Sequence, residues 1–130
     1  MESAGDQPGW LRGLSDPGVG HALACMHGRA GEPWTAESLA REAGMSRATF
    51  ARRFGALIGQ PPIDYLTGCR MQQAAEQLVA GKRSVAQVAR GLGYRSEWAF
   101  RQAFSRRFGL PPLRFAKQAR AGMALATGKP

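Results

Sequence analysis

Residues 58–66 read IGQPPIDYL, and residues 108–116 read FGLPPLRFA. Proline has no N–H to give a helix interior and clashes with the preceding turn, yet it suits a helix's first position. Each Gly-x-Pro-Pro therefore marks a corner where one helix stops and the next begins. The flanks agree as well. TAESLAREAGMSRATFARRFGALIGQPPIDYLTGCR (35–70) lies over SVAQVARGLGYRSEWAFRQAFSRRFGLPPLRFAKQAR (84–120), with Arg95 as one extra residue in the second copy. Matched pairs include Leu39/Val88, Ala40/Ala89, Gly44/Gly93, Ser46/Ser96, Phe50/Phe100, Phe54/Phe104, Tyr65/Phe115 and Arg70/Arg120. The chain is a tandem duplication of one supersecondary unit.

Within each copy the pattern predicts helix, sharp turn, helix, corner, helix. Thr35 can cap the first helix, with Trp34 stapled to Leu39, and Ser84 with Gln87 forms a capping box in the second copy. Gly44 and Gly93 end these helices, and Ser46 and Ser96 cap the next ones. The following apolar stripes, Phe50, Phe54, Leu57, Ile58 and Phe100, Ala103, Phe104, Phe108, have helical spacing. A further helix is expected over 16–28, weakened by Gly18 and Gly20, and the longest over 61–81, where Gly68 costs about 1 kcal/mol against alanine. No segment reads as a strand. The expectation is an all-α fold of about seven helices. A flexible leader (1–15) precedes a first helix-turn-helix subdomain with its linker helix (16–81). A second subdomain (82–121) and a disordered tail (122–130) follow.

A helix-turn-helix needs a small residue where its helices cross, a glycine four positions later, and an apolar anchor on the second helix. Ala40, Gly44 and Phe50 meet this once; Ala89, Gly93 and Phe100 meet it again. One match is weak, but two at matched positions is a specific signal. The second helix of such a unit presents its N-terminal residues to base edges in a major groove. With Phe50 and Phe54 buried, Ala48, Arg52 and Gly55 face outward, flanked by Arg47 and Ala51. With Phe100 and Phe104 buried, Trp98, Gln102 and Ser105 do so, flanked by Glu97 and Arg101. Arg52 suits guanine, Gln102 adenine, and Glu97 can accept from cytosine. Arg47, Arg53, Arg83, Arg95, Arg106 and Arg107 are candidate phosphate contacts, and the helix starts at Ser46 and Ser96 can add backbone donors. For Arg53 and Arg107 a packed or solvated role competes with contact to a phosphate.

Charge points the same way. The net is +9, with fifteen arginines and three lysines. Residues 1–40 are net acidic, whereas residues 41–120 carry fifteen basic and four acidic side chains. Such a block is an electrostatic footprint for a polyanion. No apolar run approaches a membrane span, and the polar start MESAGDQPGW is unlike a secretory signal. Cys25 and Cys69 are far apart and read as reduced, mostly buried thiols of a cytoplasmic protein. His21 and His27, six residues apart without evident cysteine or carboxylate companions in ligand register, read as packed or solvated rather than metal-bound. No nucleophile with its base and no acid–base carboxylate pair emerges, so neither an enzyme nor a cofactor is expected.

Over 35–120 the chain closely resembles the DNA-binding domain of the AraC/XylS family of bacterial transcription regulators. LAREAGMSRATFARRF, IGQPPIDYL and VAQVARGLGYRSEWAFRQAFSRRFGLPPLRF carry the match. The segment WLRGLSDPGVGHALACMHGRAGEPWT resembles the lead-in of members with an N-terminal cupin-type sensor, here expected to be lacking. The resemblance implies that the helices over 47–58 and 97–108 enter successive major grooves. A linker helix of about 18 residues, about 27 Å long, fits that spacing. The expected partner is double-stranded DNA, bound by a monomer near the nucleoid, with RNA polymerase as a further partner. In departure from the family pattern, Gln102 stands where members often have arginine, and Ala48 and Ala51 leave the first recognition helix thin in base-reading groups. A rival reading, a protein-interaction module that has lost operator reading, draws on those alanines, on Trp98 and on the lacking sensor.

Overall fold

Hydroxyl and carboxylate caps set where the helices begin. The computed structural model describes residues 9–126. Its helices are α1 (Gly9–Gly13), α2 (Pro17–Gly28), α3 (Ala36–Ala43), α4 (Arg47–Ile58), α5 (Pro62–Ala80), α6 (Val85–Gly91), α7 (Glu97–Phe108) and α8 (Pro112–Ala126). Among the described residues there is no strand, and no helix is long and apolar enough to cross a membrane. Asp16 Oδ1 accepts from the Gly18 and Val19 amides at 3.0 and 3.1 Å to start α2. Reciprocal capping boxes start α3 (Thr35 with Ser38) and α6 (Ser84 with Gln87). The Trp34 indole N–H donates to the Arg29 carbonyl at 2.9 Å, and its ring lies under the Arg29 guanidinium.

Both helix-turn-helix turns are built by the same bonds. The Gly44 amide donates to Arg41 O and the Met45 amide to Ala40 O, each at 3.0 Å. In the second copy Gly93 donates to Arg90 O at 3.1 Å and Tyr94 to Ala89 O at 3.0 Å. This double bond pattern requires a left-handed residue after the helix, supplied by Gly44 (φ 73°) and Gly93 (φ 88°). The corners also repeat: the carbonyls of Pro61 and Pro111 accept the first bonds of α5 and α8, and Pro62 and Pro112 are buried at the first helical position.

The chain divides between Cys69 and Arg70 into two compact units. The first buries Val19, Leu23, Met26, Leu39, Phe50, Phe54 and Leu66; the second buries Met71, Leu78, Val88, Leu92, Phe100 and Phe104. Phe54 meets Tyr65 edge-on with centroids 5.7 Å apart, and Phe104 meets Phe115 in the same manner at 5.3 Å. The division falls inside α5, not at 81–82 as the sequence led us to expect. The start of α5 gives Tyr65 and Leu66 to the first core, while Arg70 interacts with Tyr94 of the second unit.

Three expectations need correction. Eight helices among the described residues agree with the all-α fold of about seven expected, but α1 forms inside the stretch read as a flexible leader. It packs on α4 and α2, and Gly13 is buried where an added Cβ would come within 2.7 Å of Leu23 and 2.9 Å of Ile58. The tail read as disordered is helical as far as Ala126, since AGMALA is rich in helix formers. The rest of that leader and tail lies outside the described residues. Gly18 is no mere weakness of α2: a Cβ there would lie 2.5 Å from the Ala43 carbonyl oxygen, so the close approach of α2 to the end of α3 requires glycine.

Candidate nucleic-acid interface

Each unit offers one helix with a buried aromatic side and a solvent-facing outer row. In the first unit Ser46 Oγ accepts from the Thr49 amide at 3.2 Å and starts α4. Phe50, Phe54 and Ile58 are buried, which turns Ser46, Arg47, Ala48, Ala51 and Arg52 to solvent. Arg52 makes no ion pair among the described residues. In the second unit Ser96 Oγ accepts from the Ala99 amide at 3.0 Å and starts α7. Phe100 and Phe104 are buried, and Ser96, Glu97, Trp98, Gln102 and Arg106 are exposed. Trp98, Gln102 and Arg106 are four residues apart along α7 and form its outermost row. Trp98 is 70% exposed at the start of this row.

The flanking charges are engaged differently. Glu97 accepts from Arg101 Nε at 2.8 Å, with Nη2 at 2.6 Å, an i,i+4 pair in the favourable orientation. In the free chain Glu97, a candidate cytosine acceptor, pairs with Arg101, which is half-buried against the helix. Arg47 reaches Glu37 of α3 at 3.7 Å, with both side chains about two-thirds exposed, a contact worth less than about 1 kcal/mol. Arg53 pairs with Asp16 at 3.4 Å, which favours its structural role. Arg106 and Arg107 are exposed in the last turn of α7. Arg90, a basic residue the sequence reading did not single out, lines a shallow hollow with Arg83, Gln87 and Gly91 where the chain enters and runs along α6.

Burial pushes the Tyr65 hydroxyl up to about 12, helped by Cys69. It also accounts for the raised Tyr94 hydroxyl and the lowered Arg70 guanidinium, which partly offset each other. His27 stacks on Tyr65 with centroids 5.7 Å apart and shares a 2.8 Å hydrogen bond with its hydroxyl. His21 needs a larger correction: it was read as lacking cysteine or carboxylate companions, yet Cys25 and Glu42 both adjoin it. Cys25 was legible as its i,i+4 neighbour on α2; Glu42 comes from another helix and was not.

Two helix-turn-helix units, each with a capped, aromatically anchored outer helix, define the class. A family model described as "Helix-turn-helix domain" matches residues 39–118. The chain belongs to the AraC-type helix-turn-helix family. An AraC-like transcription regulator of Streptomyces lividans is similar, 47% identical over 104 residues, covering 80% of this chain and 34% of that protein. The chain thus spans about a third of the length of the curated relatives it matches. The DNA-binding domain of AdpA, a global transcriptional factor solved in complex with a target DNA, is similar with a TM-score of 0.73. It is 36% identical, covering 82% of this chain and 95% of that one. An AraC-type regulator from Chromobacterium violaceum gives a TM-score of 0.74 at 25% identity, covering 81% and 94%.

Proposed function

We propose that this chain binds double-stranded DNA sequence-specifically and regulates transcription, with α4 and α7 entering successive major grooves. One observation carries the reading: the same exposed helix face occurs twice, behind the same hydrogen-bonded turn, on the basic part of the chain. Arg52 is assigned to guanine and Gln102 to adenine, by two hydrogen bonds each. Trp98 is assigned to thymine methyls or sugars. Arg47, Arg83, Arg90, Arg95 and Arg106 are assigned to phosphates, which supply affinity and register but no sequence information. Glu97 acts here by fixing Arg101. The proposal extends to a non-palindromic site of about two helical turns bound by one chain, to RNA polymerase as a further partner, and to the cytoplasm at the nucleoid as the place of action. The rival protein-interaction reading draws on the exposed Trp98, Ala48 and Ala51, and membership of a DNA-binding family weighs against it.

Selection from randomised duplexes, followed by sequencing, tests this. The expected outcome is one shared motif in two blocks, with log affinity falling against log salt by about 0.9 per phosphate contacted. Arg52→Ala and Gln102→Ala should each relax base choice in a different block, at about 1–3 kcal/mol per lost contact. A selection without a shared motif, or both variants acting on one block, would refute the reading.

A further inference from the structure

Outside the proposed interface, α2 and α3 bring together two neighbouring groups of one helix and a third from the next. His21 and Cys25 are one turn apart on α2, and Glu42 comes from the last turn of α3. His21 Nε2 lies 2.9 Å from Glu42 Oε1 and 4.0 Å from Cys25 Sγ, and that sulfur lies 3.9 Å from the same carboxylate oxygen. We infer that His21, Cys25 and Glu42 form a binding site for a borderline divalent transition metal, zinc foremost, that fastens α2 to α3.

The geometry can be compared with what zinc demands. Bonds of about 2.3 Å to sulfur and about 2.0–2.1 Å to nitrogen and oxygen, arranged tetrahedrally, place sulfur about 3.6 Å from the other two ligands and those two about 3.3 Å apart. The observed separations differ from these by less than about half an ångström, within reach of small rotamer adjustments. One thiolate, one imidazole and one carboxylate make a donor set that selects zinc or cobalt over magnesium or calcium. Cys25 is 3% exposed, whereas His21 and Glu42 are exposed, so the site opens to solvent on one side. That side provides an entry path and leaves a fourth position for water.

Arg29 is the obvious objection, since its Nη2 donates to Cys25 Sγ at 3.2 Å. That contact, then Glu32, holds the guanidinium above its ordinary range. The same N–H can serve a metal-bound thiolate as an outer hydrogen bond, the arrangement that commonly orients metal ligands. Arg29 also has Glu32 at 3.5 Å and the Trp34 ring at 5.1 Å to hold it elsewhere. Coordination forms the metal–sulfur bond and displaces the thiol proton to solvent.

The test uses the untagged protein and Co2+ as a spectroscopic probe, with Zn2+ as competitor. One equivalent of Co2+ should give a sulfur-to-cobalt charge-transfer band and tetrahedral visible bands, both removed by Zn2+. His21→Ala and Glu42→Gln, exposed positions that leave the core intact, should each weaken Zn2+ by about tenfold or more, since losing even an outer partner costs about 10–100-fold. Cys25→Ser should lose the charge-transfer band and Cys69→Ser should keep it, with circular dichroism checking that each variant folds. Zn2+ should raise the melting midpoint of the wild type by more than that of Glu42→Gln at the same Zn2+ concentration. Absence of a charge-transfer band, a band that follows Cys69, or unchanged Zn2+ affinity in both His21→Ala and Glu42→Gln would overturn the inference.

Discussion

Asp16 does two jobs at once, and substitutions can separate them. One carboxylate oxygen caps α2 through the Gly18 and Val19 amides at 3.0 and 3.1 Å; the other meets Arg53 of α4 at 3.4 Å. Losing a cap of this kind costs about 1 kcal/mol, within a range of about 0.5–2. The ion pair contributes less. Arg53 is 53% exposed, and screening holds such a pair to about 0.5 kcal/mol. Asp16→Ala should therefore destabilise by about 1.5 kcal/mol, a fall of about 6–12 °C in the midpoint of a small cooperative unit. Asp16→Asn keeps an equivalent cap and loses only the charge, so it should cost about 0.5 kcal/mol, as should Arg53→Ala. Combined, Asp16→Asn and Arg53→Ala should cost little more than either alone, because both remove the same interaction. Urea denaturation followed by circular dichroism would measure all four variants. Equal losses for Asp16→Asn and Asp16→Ala would refute the reasoning, because the cap would then contribute nothing beyond the charge.

Gly18→Ala gains up to about 1 kcal/mol of helix propensity but forces a Cβ against the Ala43 carbonyl, so a net loss is expected in the same denaturation assay. Gly55→Ala in α4 meets nothing within 4 Å and should stabilise by about 0.5–1 kcal/mol; a loss there would contradict the described packing. The Tyr65 hydroxyl, raised to about 12 from an ordinary 10, keeps its proton in the folded state while the unfolded chain loses its own. Its contribution to stability should be whole below pH 10 and decline as pH rises toward 12, which ultraviolet difference titration beside thermal melts would follow. Glu97→Ala frees Arg101 and removes a negative charge from the outer helix, so the salt dependence of duplex binding should steepen by up to about 0.9. A shallower slope would mean that Arg101 contacts the backbone only while Glu97 holds it.

Local rules carried much of the fold. The paired Gly-x-Pro-Pro corners, the serine caps and the phenylalanine stripes depend on chemistry within four or five residues, and each is found where its residues stand. Most of the outer face was legible for the same reason: once Phe50, Phe54, Phe100 and Phe104 are buried, helical periodicity leaves Arg52, Trp98 and Gln102 in water. What failed was contact between elements. α1 depended on Gly13 lying against Leu23 and Ile58, and Asp16 at the start of α2 met Arg53 of α4.

By itself, then, the sequence determined a doubled all-α unit and the residues that each outer helix shows to solvent, because turns, caps and amphipathic periodicity are short-range. Only the tertiary structure decided that Gly18 marks a close crossing of α2 and α3, and that His21 and Cys25 gain Glu42 from the next helix. Those pairings depend on how two helices cross, and side chains far apart in the chain meet there for reasons that no local pattern encodes.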